Sequence, residues 1–376
     1  MTANALCRGV ALAAMLAASM PRPAAADDPP DCAASASSAC YFSFATAGAG
    51  GRLHYYASRS SGVPSPGPAP TAALVVVHGH PRDANKTFDA ALAAVHGAAV
   101  DAVTLVVAPV FQVDAGQATK CRTAGVPAAA PGDLLWSCAS WIDGGVAAND
   151  NALTSFAALD ALIAELARQW PSLRSITVAG FSAGGQMVQH YVGFAALPPT
   201  PALAVRYVVA DPGSWLYFDA VRPQPMQEGR VVDWAQCGQG RAFPDPCALE
   251  FRVADDAACI ALNRWKYGTE MLPPQLRRGV AEARARYAAA DIAYLEGGLD
   301  SGTAPGTYYR ILDKSCAAEA QGPYRLQRGL AYAQYDRTLL APGRHREVSV
   351  VPGCAHDVAC VFAAPAAREA LLRPGH

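Results

Sequence analysis

Ser175-Ile176-Thr177-Val178-Ala179-Gly180-Phe181-Ser182-Ala183-Gly184-Gly185-Gln186-Met187 passes from a β-branched run through a small-residue turn into an apolar helical stretch. A bare GxSxG is a weak signal in a glycine-rich chain. Here a strand runs directly into it and a helix follows, which is the strand–turn–helix context of a nucleophile elbow. The sharp turn predicts strained backbone at Ser182, with room left by Gly180, Ala183 and Gly184. The hydroxyl then projects at a helix N-terminus, where backbone N–H groups favour developing negative charge.

The neighbouring texture agrees with that reading. Short apolar runs at 74–77, 103–107, 175–178, 205–209, 292–295 and 348–351 alternate with alanine-rich helical stretches. Near-continuous apolar strands separated by helices predict an α/β fold, a mostly parallel central sheet with helices on both faces. Ser155 to Arg168 places Phe156, Leu159, Leu162, Ile163 and Leu166 at helical spacing, with Pro171 beyond its end. Pro273 to Ala290 and Arg325 to Leu340 also read as helices, and 53–58 as an early strand. Two segments break the alternation, 111–150 and 213–272; both follow strands and so belong at the carboxyl edge of the sheet, where ligands bind.

The chain has 376 residues, 52% of them hydrophobic and 16% charged, with mean hydropathy +0.12. It is too apolar and too long for a disordered tail. Thirty basic against 31 acidic residues give a formal charge of −1, with no basic stripe to favour nucleic acid or an anionic membrane. Arg8, the apolar run 9–20 and Ala24-Ala25-Ala26 read as a secretory leader cut after Ala26, leaving 27–376 as a single domain. No later apolar run reaches membrane-spanning length uninterrupted, so stable membrane insertion is not expected. Ten of the eleven cysteines lie beyond the leader, an even number consistent with disulfides in a secreted or periplasmic protein. Neighbour spacing suggests 32–40, 121–138, 237–247 and 354–360, leaving 259 with 316, although sequence leaves the connectivity open. Cys354, His356 and Cys360 form the one candidate metal set, against which stands the lack of a CxxC pair.

His78-Gly79-His80-Pro81-Arg82-Asp83-Ala84, Ala108-Pro109-Val110-Phe111, Gly180 to Gln186 and Gln321-Gly322-Pro323-Tyr324-Arg325-Leu326 extend the pattern of the elbow. From Ala73 to the C-terminus the chain resembles the α/β-hydrolase superfamily, and within it a group of secreted bacterial and fungal serine hydrolases. The resemblance implies that fold, and the cysteine-bearing segment at about 213–290 is expected as a disulfide-stapled cap insertion. The group commonly has His where this chain has Phe181, a departure expected to bear on the shape of the acyl pocket.

A serine hydroxyl needs a base, and the base an orienting acid, in this fold in the chain order Ser, acid, His. Of the histidines after Ser182, His190 lies on the following helix, His345 precedes the last strand and His376 is terminal. His356 follows the strand 348–351 at its carboxyl end and is the expected base. Asp300, after Glu296-Gly297-Gly298-Leu299, sits where the superfamily's acid does, with Asp313 as the alternative. The expected oxyanion donors are the N–H groups of Ala183 and His80. The side chains of His78 and His80 read as structural.

These catalytic residues, Ser182, Asp300 and His356, call for no metal and no cofactor. They point to acyl transfer to water, with a small-molecule or polymeric carboxylic ester as substrate. An amidase or peptidase of the same fold, or a binding protein that kept it, are the competing readings. Trp136, Trp141, Trp215, Phe218, Trp234 and Trp265 would either line an acyl pocket or pack the long loops. Oligomeric state is left open.

Overall fold

Eight strands form the central sheet: β1 (Tyr41–Ala45), β2 (Arg52–Ala57), β3 (Ala72–Val77), β4 (Thr104–Val110), β5 (Ser175–Phe181), β6 (Ala204–Ala210), β7 (Ile292–Gly297) and β8 (Val348–Val351). Their spatial order is β1-β2-β4-β3-β5-β6-β7-β8. Pairings from β4 through β8 are parallel, whereas β1–β2 and β2–β4 are antiparallel. The computed structural model describes Met1 and residues 32–46, 50–62, 67–197, 203–238, 242–254, 257–346 and 348–373. The expected leader lies outside these residues apart from Met1. The chain divides into one unit at Met1–Pro30 and another at Asp31–His376, and every element named here lies in the second.

A parallel strand with both faces covered must be apolar at every position, and β3 shows how the faces divide. Val75 and Val77 join one buried cluster with Phe156, Met187, Tyr191, Tyr287 and Tyr332. Leu74 and Val76 join the other, with Phe88, Val361 and Leu371. The helices sort accordingly. On the first face lie α2 (Ser155–Gln169), α3 (Ala183–Phe194), α4 (Val280–Ala289) and α5 (Arg325–Tyr335); on the second lie α1 (Ala84–Gly97), α6 (Val358–Ala363) and α7 (Pro365–Leu372).

Some boundaries moved for identifiable reasons. The expected helix 273–290 breaks into a 3-10 turn at Pro274–Leu276 and α4, because Arg277 takes a positive φ of 53° between them. The expected helix 325–340 changes at Tyr335 into a π turn, Asp336–Leu340. Strand β1 was missed: as an antiparallel edge strand only partly buried, it lacks the continuous apolar run of its parallel neighbours.

All five cysteine pairs suggested by spacing are bonded: Cys32–Cys40, Cys121–Cys138, Cys237–Cys247, Cys259–Cys316 and Cys354–Cys360. The segment expected as an insertion carries a separate three-stranded antiparallel sheet, Val221–Gln227 with Arg230–Val231 and Ala248–Val253 on either side. Arg222 anchors it: the buried guanidinium donates to the carbonyls of Asp219, Val221, Leu262 and Tyr267 and lies over the Tyr217 ring. Among the described residues no helix is long and apolar enough to cross a membrane.

The lower end of the sheet is pinned by a buried ion pair. Arg346 Nη1 lies 3.0 Å from Asp336 Oδ1, and Arg346 Nη2 donates to the carbonyls of Tyr287 and Ala288 at the end of α4. Arg346→Ala leaves the Asp336 carboxylate buried without its cation, so a loss of about 3–5 kcal/mol in unfolding free energy is expected. Urea titration measures it, and a variant within about 1 kcal/mol of wild type would refute that anchoring role.

Candidate active site

Ser182 joins β5 to α3 with φ 59° and ψ −119°, a left-handed backbone that a side chain rarely adopts. The crossing is held open by glycines. A Cβ on Gly180 would sit 2.1 Å from Gly184 O, one on Gly184 would sit 2.2 Å from Val77 O, and one on Gly185 would sit 2.4 Å from Ala210 O. These contacts are with backbone, which cannot move aside cheaply. The turn is therefore wedged against both flanking strands, β3 and β6. Gly185 belongs to the device as much as the two glycines of the motif, and its requirement comes from β6, far off in sequence.

Asp300 and His356 reach Ser182 on two loops that are laced together. Gly298 N–H donates to Val351 O and Leu299 N–H to Cys354 O, both at 2.8 Å. A Cβ on Gly297 would lie 2.6 Å from Ala355 O, so the loops approach as closely as backbone allows. The Cys354–Cys360 bond spans His356, and His356 N–H donates to Gly306 O. The result is a continuous hydrogen-bonded line. His356 Nδ1 is 2.8 Å from Asp300 Oδ2, and His356 Nε2 is 2.8 Å from Ser182 Oγ. A carboxylate only accepts, so Nδ1 carries the proton and the Nε2 lone pair faces the serine.

Burial lowers the His356 pKa, and the hydrogen bond that His356 donates to Asp300 opposes that shift. Asp300 is itself buried, with its other oxygen 3.3 Å from Arg325 Nη1; the same Nη1 donates to Thr307 O at 2.7 Å. Behind it lie two acids that sequence reasoning did not assign. Asp211 directly follows β6, with one oxygen accepting from Gly297 N–H at 2.8 Å; burial and the nearby Asp300 charge push its carboxyl up to about 7. Glu296, wholly buried on β7, is raised well above the usual carboxylate range by burial and by Asp211. The signal for Asp211 was available, since it directly follows a parallel strand at the same sheet edge as Asp300.

Asp211, Asp300 and His356 offer ligand atoms within 4.8 Å of one another. His356 Nδ1 donates within that group, which makes it a hydrogen-bonded array. The other metal set considered from sequence is not available, because Cys354 and Cys360 are bonded to each other.

No family model matches the chain, and no curated protein matches it. Solved structures do. A poly(3-hydroxybutyrate) depolymerase, LpqC, from Bordetella parapertussis superposes with a TM-score of 0.51 at 18% identity, covering 84% of each chain. Poly(aspartic acid) hydrolase-1 from Sphingomonas sp. KT-1 also gives 0.51 at 18% identity, covering 88% of this chain and 98% of its own. Sheet order, elbow and superposition agree. The chain has the α/β-hydrolase fold.

In α/β-hydrolase folds the carboxyl edge of the sheet carries the ligand site, and here Ser182 opens into a cleft of about 530 Å³. His80, Lys120, Arg122, Ile142, Lys266 and Ile311 are among its walls, with Ala183 beside the serine. The tryptophans take the packing alternative. Trp136, Trp141 and Trp215 are fully buried, Trp265 packs on His190 and Phe194, Trp234 stacks on Phe243, and none lines this cleft.

Phe181 is a correction of the same kind. Instead of lining the cleft, its ring lies 4.8 Å from that of His356 and against Phe362, on the buried side of that imidazole. Asp313 is elsewhere engaged: Lys266 Nζ lies 2.6 Å from it, and Tyr267 OH and Ser315 N–H donate to it. Against its burial, these donors hold its carboxyl well below the usual range. His78 is buried between Phe111 and Trp141, with its pKa lowered by burial to about 4. His190 is buried too, its ring bonded to the carbonyls of Gln186 and Lys266.

An imidazole whose neutral form is favoured by burial titrates below its ordinary value, and this is the expected base. The acid limb of kcat/KM is therefore expected below about pH 6.5, with activity rising as pH rises through it. A limb centred above pH 7 in a kcat/KM profile would contradict the environment described for His356.

Proposed function

We propose that this chain is an exported serine hydrolase that cleaves carboxylic esters through an acyl-enzyme. The observation that carries the proposal is the line from Asp300 through His356 to Ser182, with both links at 2.8 Å. In this reading His356 Nε2 takes the hydroxyl proton as Ser182 Oγ attacks the acyl carbon. The tetrahedral oxyanion then collapses, and His356 returns the proton to the departing alcohol. A water deprotonated by the same nitrogen attacks the acyl-enzyme, and collapse releases the acid and restores Ser182. Asp300 keeps the tautomer and stabilises the imidazolium that forms in each half.

Two backbone donors suit the oxyanion. Ala183 begins α3, so its N–H has no intrahelical acceptor. Gly79 N–H is engaged by Asp83 Oδ1 at 2.9 Å, whereas His80 N–H makes no hydrogen bond among the described residues. His80 and Ala183 both line the cleft beside Ser182. Ester cleavage fits the residues assigned, and small-molecule and polymeric esters both fall within the proposal. Export is supported by the five disulfides, which persist in oxidising compartments.

Ser182→Ala is expected to lower kcat on a p-nitrophenyl ester by roughly 10³-fold or more with the melting temperature unchanged. His356→Ala should be as severe. Turnover near wild type in either variant would overturn the mechanism. Because Asp313 pairs with Lys266, Asp313→Asn should cost less activity than Asp300→Asn; the reverse order in steady-state kinetics would displace Asp300 as the acid.

A further inference from the structure

Lys120 and Arg122 line the same cleft as Ser182, and both are exposed, while Cys121 between them and Thr123 after them are buried. That alternation turns two long cations outward from one short segment. Neither has an ion pair or side-chain hydrogen bond among the described residues. The other cations of the cleft are matched, Lys266 by Asp313 at 2.6 Å and Arg325 by Asp300 at 3.3 Å. One further acid lines the cleft, Asp143, whose carboxyl is raised by burial and has one oxygen without a partner. Beneath the segment lies Arg82, buried and without a carboxylate partner among the described residues. The mouth of the cleft therefore carries surplus positive charge.

The segment is also held at a set position relative to the proposed oxyanion donor. Arg82 Nε donates to Cys121 O at 3.0 Å, Thr123 Oγ1 to Pro81 O at 2.9 Å, and Asn85 Nδ2 to Ala124 O at 3.0 Å. Those partners, Pro81, Arg82 and Asn85, lie within five residues after His80 in the chain. On the other side Cys121 is bonded to Cys138, and Lys120 N–H donates to Gln117 O. Cations fixed to the loop that would hold the scissile carbonyl oxygen read charge at a defined reach from the reacting bond.

We propose that the cleft selects esters bearing a carboxylate, recognised by Lys120 and Arg122 as specificity-determining residues. This rests on the hydrolase reading and deepens it. Two matched substrate pairs test it: the p-nitrophenyl half-ester of adipic acid against its methyl-capped form, and the butyrate ester of 4-hydroxybenzoate against that of methyl 4-hydroxybenzoate. The first places the carboxylate on the acyl side, the second on the alcohol side.

In at least one pair the charged member should show about tenfold higher kcat/KM at low salt, carried by KM, with the preference shrinking as salt is raised. The double variant Lys120→Ala/Arg122→Ala should bring that ratio towards one, and Lys120→Arg should keep it. Equal or faster turnover of the neutral ester in both pairs, or a preference that survives in the double variant, overturns this proposal and leaves the hydrolase reading standing. Absence of turnover on all four esters overturns both.

Discussion

The site depends on a close approach of backbones. At the elbow, Gly180, Gly184 and Gly185 stand where any side-chain carbon would collide with the carbonyls of Gly184, Val77 and Ala210. Those contacts wedge the β5–α3 turn between β3 and β6 and hold Ser182 in a conformation it would not adopt alone. The strain is offset by the sheet and helix packed around it. A serine held in this way presents its oxygen without a search through rotamers of a mobile loop, which is what a positioned nucleophile requires.

The second constraint is electrostatic. Four ionisable groups, Asp211, Glu296, Asp300 and Arg325, are buried behind one imidazole. Full ionisation of three neighbouring carboxyls beside one guanidinium would be costly in a dry environment. Raised pKa values at Asp211 and Glu296 relieve that cost, while Asp300, between Arg325 and His356, has two donors for its charge. Glu296 is also packed tightly against α5, where a Cβ on Gly329 would meet its carboxyl at 2.1 Å. The acid that faces His356 is thereby distinguished from its neighbours by its partners and not by its residue type.

The long segments outside the alternating strands divide into two kinds of work. Their aromatic residues build core: Trp141 lies over Phe111 and against His78, and Trp215 stacks on Tyr332. Their charged and small residues, Lys120, Arg122, Gly213 and Lys266, face the cleft. Disulfides staple both segments, which lets irregular chain hold a shape that ladder hydrogen bonds do not impose.

The sequence alone determined the parallel part of the sheet, because strands buried on both faces must be apolar throughout and so are legible as runs. It also pointed to Ser182, His356 and Asp300, each just beyond such a run, which the structure brings within hydrogen-bond reach of one another, and it made the near-neighbour cysteine pairing a fair expectation. Edge strand β1, the broken helix before α4 and the placement of the tryptophans were not legible, since partial burial, a single left-handed residue and three-dimensional packing leave no periodic trace. Only the tertiary structure decided that Phe181 backs His356, that Asp313 belongs to Lys266, and that Asp211 and Glu296 stand behind Asp300. Those outcomes follow from distances between strands remote in sequence, and it is distance that decides which buried charges share a partner.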